Sequence, residues 1–242
     1  YTTNSLELHD SIFSKNSVET SDGGAIYGNN IKSYGTTFND NTAITNGGAI
    51  YGTNLIASES TFDGNIANVG GAVYTTGLVN ISDSAFNNNI ALSNGGAIFG
   101  STSSTISVSE SNFTNNTATN GGAIFESDKS NVNIFNSNFD KNIAISNGGA
   151  IYGAMTNKLS VSKSNFTDNV ANMGAAIYET KKIEVNDSIF INNTVSTIYM
   201  GSGNIDNSEL ISDSLPMVYV NKALSINETT FNGENPSKKY IS

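Results

Sequence analysis

Residues 106–125 read ISVSESNFTNNTATNGGAIF, and the same frame recurs along nearly the whole chain. In this copy Phe113 follows an apolar pair and precedes an asparagine and a Gly-Gly-Ala-Ile run. We number every copy from this anchor position. The anchors are Phe13, Phe38, Phe62, Phe86, Phe113, Phe139, Phe166, Phe190, Leu210 and Phe231. They lie 24 to 27 residues apart over the first eight and then 20 and 21 apart, and such periods are typical of a solenoid.

An apolar pair precedes most anchors by seven and five positions, as Ile106 and Val108 precede Phe113. Apolar residues two apart, with polar residues between them, predict a strand with one buried face. The step from the pair to the anchor is odd, so we expect a bend there. The acidic residues at this bend are Asp10, Glu59, Asp83, Glu110 and Asp187, each followed by serine. Both residue types favour turns because their side chains bond nearby backbone groups.

An asparagine follows each of the first eight anchors by three positions. These residues are Asn16, Asn41, Asn65, Asn89, Asn116, Asn142, Asn169 and Asn193. The small residue two positions after the asparagine breaks the inward-outward alternation again, so we expect a second bend at the asparagine. Asparagine tolerates left-handed backbone angles. On stacked turns the side-chain amides of neighbouring copies can bond to one another, so we expect a structural ladder.

A Gly-Gly pair opens the last part of the repeat and predicts a third bend, since glycine accepts positive φ. We expect the following aliphatic residue to point inward and the aromatic residue after it to point outward, although Ala25 and Tyr27 would serve as an alternative buried pair. The outward aromatic residues would be Tyr27, Tyr51, Tyr74, Phe99, Phe125, Tyr152 and Tyr178. This column is our candidate recognition surface, because aromatic side chains pack against sugars and proteins. The alternative is that the rings only stack on each other.

These patterns predict an all-β fold, a parallel β-helix (solenoid) of about nine turns with three short strands per turn. Residues 1–199 would form regular turns, and residues 200–242 would form degenerate C-terminal turns and a polar tail of the same domain. Insertions at 100–104, 126–130 and 153–157 fall at one place in the repeat. We expect them to form one loop edge, a natural contact surface.

Composition limits the possible functions. The chain has no Cys, 11 Lys, no Arg and a net charge of −10, so neither a thiolate metal site nor nucleic-acid binding is expected. No apolar run reaches 18 residues, so we expect no membrane span. The chain begins at Tyr1 within the repeat and without a signal peptide, and we expect a processed protein or a piece of a longer one.

Gly-Gly-Ala-Ile alternating with Phe-x-x-Asn resembles the repeats of the polymorphic outer-membrane proteins of autotransporter type, and of related adhesin-like proteins of microbial surfaces. Six Gly-Gly-Ala-(Ile/Val) copies and eight Phe-x-x-Asn copies carry the resemblance over about residues 6–195. The resemblance implies a right-handed winding, secretion to the cell surface, and adhesion to host or neighbouring cells.

Catalysis is not expected, because the polysaccharide-cleaving enzymes built on β-helices need clustered acidic and basic side chains, and this chain has only one His and no Arg. The acidic column could hold Ca²⁺ through carboxylate oxygens, but solvated turn residues are the simpler interpretation. Seven Asn-x-Ser/Thr sequons are possible glycosylation sites: Asn80, Asn112, Asn115, Asn165, Asn186, Asn192 and Asn227.

The resulting hypothesis is a non-catalytic, extracellular adhesin or stalk domain that needs no cofactor and attaches to a protein or glycan of a host or neighbouring cell. The alternative is a structural subunit that stacks end to end into a fibre or surface layer. A polysaccharide-active enzyme is the third and least favoured possibility.

Overall fold

A computed structural model describes residues 2–213, 216–233 and 241. Within these residues the regular structure is strand only, arranged in three parallel sheets. Every strand pairs with its counterpart one turn earlier or later, so equivalent residues of the repeat form columns along the long axis. The all-β parallel solenoid of about nine turns and three sheets that the sequence predicts is therefore confirmed.

Sheet A carries the apolar pair and the aliphatic residue that follows Gly-Gly. Its strands are Thr2–His9, Ile26–Tyr34, Ile50–Ser58, Val73–Thr75, Leu78–Ser82, Ile98–Gly100, Thr105–Ser109, Ile124–Glu126, Asn131–Phe135, Ile151–Gly153, Lys158–Ser162, Ile177–Asn186, Ile198–Asp206 and Val218–Asn227.

Sheet B carries the anchors, each in the middle of a three-residue strand. Its strands are Ile12–Ser14, Thr37–Asn39, Thr61–Asp63, Ala85–Asn87, Asn112–Thr114, Asn138–Asp140, Asn165–Thr167, Ile189–Ile191, Glu209–Ile211 and Thr230–Asn232. Sheet C carries the small residue after the asparagine. Its strands are Ser17–Val18, Thr42–Ala43, Ile66–Val69, Ile90–Asn94, Thr117–Asn120 and Ile143–Asn147.

The division of each turn into strands differs from the prediction. We expected the strand after Gly-Gly and the apolar-pair strand of the next turn to be separate, but both belong to sheet A, and in turns such as Ile26–Tyr34 they form one continuous strand. The reason is that no residue of Ile26–Tyr34 takes a positive φ, so the hydrogen-bonded ladder continues through it. The third side of the coil is sheet C, which the spacing of the repeat did not predict as a strand.

The first bend lies where the sequence predicts it. The residue three positions before every anchor has a left-handed conformation, with φ near 51° at both Glu59 and Glu110. Gly35, Asn136 and Lys163, which interrupt the acidic column, adopt the same conformation at φ 57°, 45° and 51°. The bend therefore depends on backbone geometry and not on a carboxylate.

The second bend lies one residue earlier than predicted. The left-handed residue is the one before the asparagine, such as Asn115 with φ 56°, while Asn116 itself is fully buried. Because the left-handed residue points its side chain to solvent, it is free to vary, whereas the asparagine faces the interior and bonds to neighbouring turns.

In the turns that have the Gly-Gly pair, each glycine has its own role at the third bend. Gly121 has φ 62°, which L side chains rarely adopt. A Cβ added to Gly122 would lie 2.1 Å from the carbonyl oxygen of Gly149 in the next turn. The pair thus makes the turn and also allows adjacent turns to approach closely.

The core is a dry stack of side chains along the axis. Seven phenylalanine anchors, from Phe38 to Phe190, are fully buried, and successive rings from Phe13 onward stack with centroids 4.5 to 5.2 Å apart. The aliphatic residue after Gly-Gly-Ala is buried, as Ile124 is, and the next aromatic residue is only partly buried. The aliphatic residue therefore points inward and the aromatic residue outward, as predicted. The alternative, in which Ala25 and Tyr27 form the buried pair, is wrong because Tyr27 is only partly buried.

Sheet C ends at Asn147, while sheets A and B continue to Asn227 and Asn232, and the last two anchor intervals are only 20 and 21 residues long. Most of the polar tail predicted for residues 235–242 lies outside the described residues, although Ile241 bridges to Val218. No helix of the described residues has the length and apolar character needed to span a membrane.

Candidate functional site

The predicted outward aromatic residues form one continuous stack on sheet A. Successive rings from Tyr27 to Tyr178 lie 4.8 to 5.1 Å apart, with planes within 14° of parallel. The stack extends two turns further, through Tyr199 and Tyr219. Because each ring face covers the next ring, the column offers ring edges and tyrosine hydroxyls to solvent. Burial raises the pKa of the Tyr152 hydroxyl, so this group stays protonated well above neutral pH and can donate a hydrogen bond.

The three insertions lie together beside this column. They interrupt sheet A two residues after Phe99, Phe125 and Tyr152, and each contains one residue with left-handed φ, namely Ser103, Lys129 and Met155. The loops are stacked by backbone hydrogen bonds, including Ser103 N to Asp128 O at 3.1 Å and Lys129 N to Met155 O at 3.4 Å. Their tips are exposed, Met155 by 50%. The insertions thus form the expected single edge, and it is an ordered ridge within sheet A.

A buried glutamate lies under this loop ridge and was not identified from the sequence. Glu126 is completely inaccessible to solvent, and the Ser104 hydroxyl lies 2.9 Å from both of its carboxylate oxygens. Burial raises the pKa of Glu126 to about 8, against the opposing effect of hydrogen bonds from Ser130, Ser104 and the Ser127 amide. Its carboxyl group is therefore mainly protonated at neutral pH.

A second buried glutamate, Glu179, occupies the equivalent position two turns later. Its carboxylate accepts hydrogen bonds from the backbone amides of Thr156 (3.2 Å) and Lys181 (2.7 Å), and from the Thr156 hydroxyl. Burial raises its pKa as well. Neither glutamate is open to a ligand, so both support the loop ridge from below.

The repeat contains a pattern from which these buried glutamates could have been identified. Four other turns have glycine at the same position, including Gly100 and Gly153 directly before the two glutamates. A Cβ on Gly100 would lie 2.3 Å from Glu126 Oε1, and one on Gly153 would lie 2.2 Å from Glu179 Oε2. An acidic residue in a column of glycines, next to an insertion, therefore marks a buried carboxyl group.

The eight ladder asparagines form one column beside the phenylalanine core. Each side-chain amide from Asn16 to Asn169 donates to the Oδ1 of the next asparagine, at 2.8 to 3.0 Å. The seven from Asn41 onward are fully buried. With every amide engaged internally, the column is a structural element and offers nothing to a ligand.

The acidic residues of the first bend are exposed. Glu59, Asp83 and Glu110 lie on three successive turns, and Gly35, Asn136 and Lys163 interrupt the column on either side of them. Among the described residues there is no group of three or more acidic or histidine side chains that could hold a metal ion. A calcium role for the column stays a prediction.

The seven sequon asparagines are all at least partly exposed. Asn112 accepts a hydrogen bond from Asn138, which in turn accepts one from Asn165, both at 2.9 Å on the outer face of sheet B. Their glycosylation stays a prediction.

Six segments of the chain match the Chlamydia polymorphic membrane protein (Chlamydia_PMP) repeat, at residues 10–29, 35–53, 59–76, 83–101, 110–125 and 136–154. Each match starts at the left-handed residue of the first bend and includes the anchor strand, the ladder asparagine and the Gly-Gly turn. The chain belongs to this repeat family. No curated protein and no solved structure is significantly similar to it.

The polymorphic membrane proteins are outer-membrane and surface proteins, which supports a cell-surface location for this chain. The repeat match leaves out the apolar-pair strand and ends where the loop ridge begins. The matched part of each turn is thus the frame together with the aromatic column, and the apolar-pair strand and most of the loop ridge lie outside the matches.

Proposed function

We propose that the chain is the non-catalytic rod of a cell-surface adhesin, and that it attaches to a host or neighbouring cell through the loop ridge and the adjoining aromatic column. The observation that carries the proposal is the position of three stacked, exposed loops directly beside the ring edges of Phe99, Phe125 and Tyr152. Ordered loops on a rigid scaffold are the usual location of binding residues, because little conformational entropy is lost when a partner binds.

The chemistry of the surface supports attachment more than catalysis. The two carboxyl groups with raised pKa are enclosed under the loops, and Ser104 and Thr156 satisfy them there. A general acid must reach the substrate, and neither Glu126 nor Glu179 has any exposed area.

The test is binding of the labelled chain to a panel of bacterial and cultured animal cells, measured by flow cytometry. We expect the double variant Lys129→Ser/Met155→Ser, at the loop tips, to lose most of the binding. The matched control is Lys141→Ser/Met173→Ser, which removes the same two residue types from a second bend and from the position that bridges to Asn147. Lys141 and Lys129 both have left-handed φ, so the backbone cost of the two lysine changes is similar.

Binding that is equal in the two variants would contradict the use of the loop ridge. Ordered filaments in electron micrographs, without binding to any cell, would favour the alternative of end-to-end stacking. Release of reducing sugar from a polysaccharide would overturn the non-catalytic assignment.

A further inference from the structure

A shallow groove runs along the outer face of sheet A, on the far side of the loop ridge from the aromatic column. It encloses about 300 Å³. Its upper row, from one turn to the next, is Ile56, Asn80, Ser107 and Asn133. The lower row is Ser82, Ser109 and Phe135. The groove thus spans three turn-to-turn intervals, or about 14 Å at the spacing of neighbouring strands.

The shape of the groove follows from residue size. Serines occupy the outward position at Ser82 and Ser109, and in the next turn the same column contains Phe135, which is 43% exposed. The Lys163 amine lies 5.5 Å from the centre of that ring, on the side of the following turn. The other face of the ring is turned towards Ser109 and closes the groove at one end.

The lining offers hydrogen-bonding groups at regular intervals. Within the part of the chain that the structure describes, the side chains of Asn80, Ser107 and Asn133 form no hydrogen bond. They are on successive turns, so amide, hydroxyl and amide groups recur about every 4.8 Å along the axis. No charged side chain lines the groove.

These features point to one class of ligand. A peptide that adds as a strand needs an open sheet edge, and the floor strands Leu78–Ser82 and Thr105–Ser109 are bonded on both sides. An anionic chain would be disfavoured by the net charge of −10 and by the uncharged lining. An extended neutral saccharide has hydroxyls for the upper row and a C–H face for Phe135.

We propose that this groove binds a short, straight segment of a neutral, β-1,4-linked saccharide, with the end sugar against Phe135 and Asn133, which belong to one turn, and the next two sugars hydrogen-bonded to Ser107 and Asn80. A ribbon-like chain of this linkage repeats at close to the spacing of the turns, so each sugar meets one turn. The proposal rests on the proposed adhesive function in that it gives a ligand class to the same surface-exposed rod.

The test uses the full chain produced in a bacterium that does not N-glycosylate, because Asn80 lies in a sequon. Cellotriose, maltotriose and trigalacturonate are titrated calorimetrically. We expect cellotriose to bind, and the curved maltotriose and the acidic trigalacturonate to bind at least about tenfold more weakly, since one good aromatic contact is worth about that factor.

Two variants address the groove, and each has a matched control. Phe135→Ala should weaken cellotriose binding about tenfold, whereas Tyr34→Ala, an aromatic residue in the same column of sheet A but outside the groove, should leave it unchanged. Asn80→Tyr should fill the groove and abolish binding, whereas Asn204→Tyr, in the same column five turns later, should not. Circular dichroism and melting temperature check that each variant is folded.

The proposal is overturned if cellotriose does not bind, if Phe135→Ala binds it as well as the parent, or if trigalacturonate binds more tightly. Any of these results together with normal cell binding would leave the adhesive function intact. Cellotriose binding without binding to any cell would instead support the groove and contradict the adhesive function.

Discussion

At the scale of single residues, burial gives ordinary side chains unusual properties. Asn116 is an amide in a dry core, and Glu126 is a carboxyl group in a space that Gly100 leaves open. Both are tolerated because each polar atom has a partner within the repeat or the loop. A buried polar group without a partner would cost about 1–3 kcal/mol.

The Glu126 carboxyl group should make stability depend on pH in the direction opposite to most acidic residues. Its folded-state pKa is raised from 4.5 to about 8, so its contribution is fully present below pH 4.5 and is lost as the pH rises through 8. We expect the melting temperature of Glu126→Gln to fall less than that of the parent between pH 6 and pH 9.

The matched control is Glu110→Gln, at an exposed bend position in the preceding turn, which should keep the parent's pH dependence. The effect could reach several kcal/mol, since one pKa unit corresponds to about 1.4 kcal/mol. If parent and Glu126→Gln lose stability in parallel, Glu126 is ionised in the folded state without penalty.

Some of these residue positions were predicted from the sequence. The columns of Phe, Asn and aromatic residues were identified by counting, because each copy repeats the same spacing. The position of the left-handed residue at the second bend was wrong by one, since an odd step shows that a bend exists but not which residue makes it. Glu126 was missed because its burial depends on a glycine 26 residues earlier, and no local pattern reports such packing.

At the scale of elements, ladders of side chains connect the turns at the corners where the backbone bends. The Asn ladder lies between sheets B and C. A serine ladder lies between sheets A and B, where Ser111 N donates to Ser137 Oγ at 3.2 Å and the Ser111 hydroxyl donates to Ser109 O at 2.7 Å. The side-chain ladders thus give the bends hydrogen bonds along the axis, where the sheets have backbone hydrogen bonds.

Removing one member of the Asn ladder should destabilise the rod. Asn116 Oδ1 accepts from both the backbone amide and the side chain of Asn89 at 3.0 Å, and its own amide donates to Phe86 O at 2.9 Å. Asn116→Ala leaves these groups buried and unpaired, so we expect a loss on the order of 3 kcal/mol in the free energy of unfolding, measured by urea denaturation.

The adjacent Asn115 provides the control. It is exposed with φ 56°, a conformation that glycine adopts easily, so Asn115→Gly should change stability by no more than about 0.5 kcal/mol. Equal losses in the two variants would mean that the buried ladder contributes little.

Sheet C shows what periodicity could not predict at this level. Its outer face includes exposed Ile90, Leu92 and Ile145, so the polar-out, apolar-in alternation that reveals a strand is absent there. In turns such as Ile26–Tyr34, two predicted strands of sheet A form one strand. The sequence did not show this, because it depends on the lack of a left-handed residue between them.

At the scale of the whole molecule, stability is distributed along the axis. Each turn contacts only its two neighbours, so an interior turn has two interfaces and a terminal turn has fewer. The anchors follow this rule, since Phe113 is fully buried and Phe13 and Phe231 are only partly buried.

The cost of truncating an anchor should therefore depend on its position. Phe113→Ala should lower the free energy of unfolding by about 3–5 kcal/mol, the usual range for a buried phenylalanine. Phe13→Ala should lower it by less than half as much. Urea denaturation followed by circular dichroism measures both, and equal losses would show that the terminal turn is as tightly packed as the middle.

Because all turns make the same contacts with their neighbours, such a chain can change its length by gaining a whole turn. A segment of one period placed between two existing turns meets the same phenylalanine, asparagine and serine columns above and below, so tandem duplication of a turn creates no new kind of interface. The turns of Glu126 and Glu179 are exceptions, because each carboxyl group needs the open space over a glycine of the preceding turn, Gly100 or Gly153. Two copies of either turn in succession would place one carboxyl group against the Cβ of the other, so each of these turns must be copied together with its glycine turn.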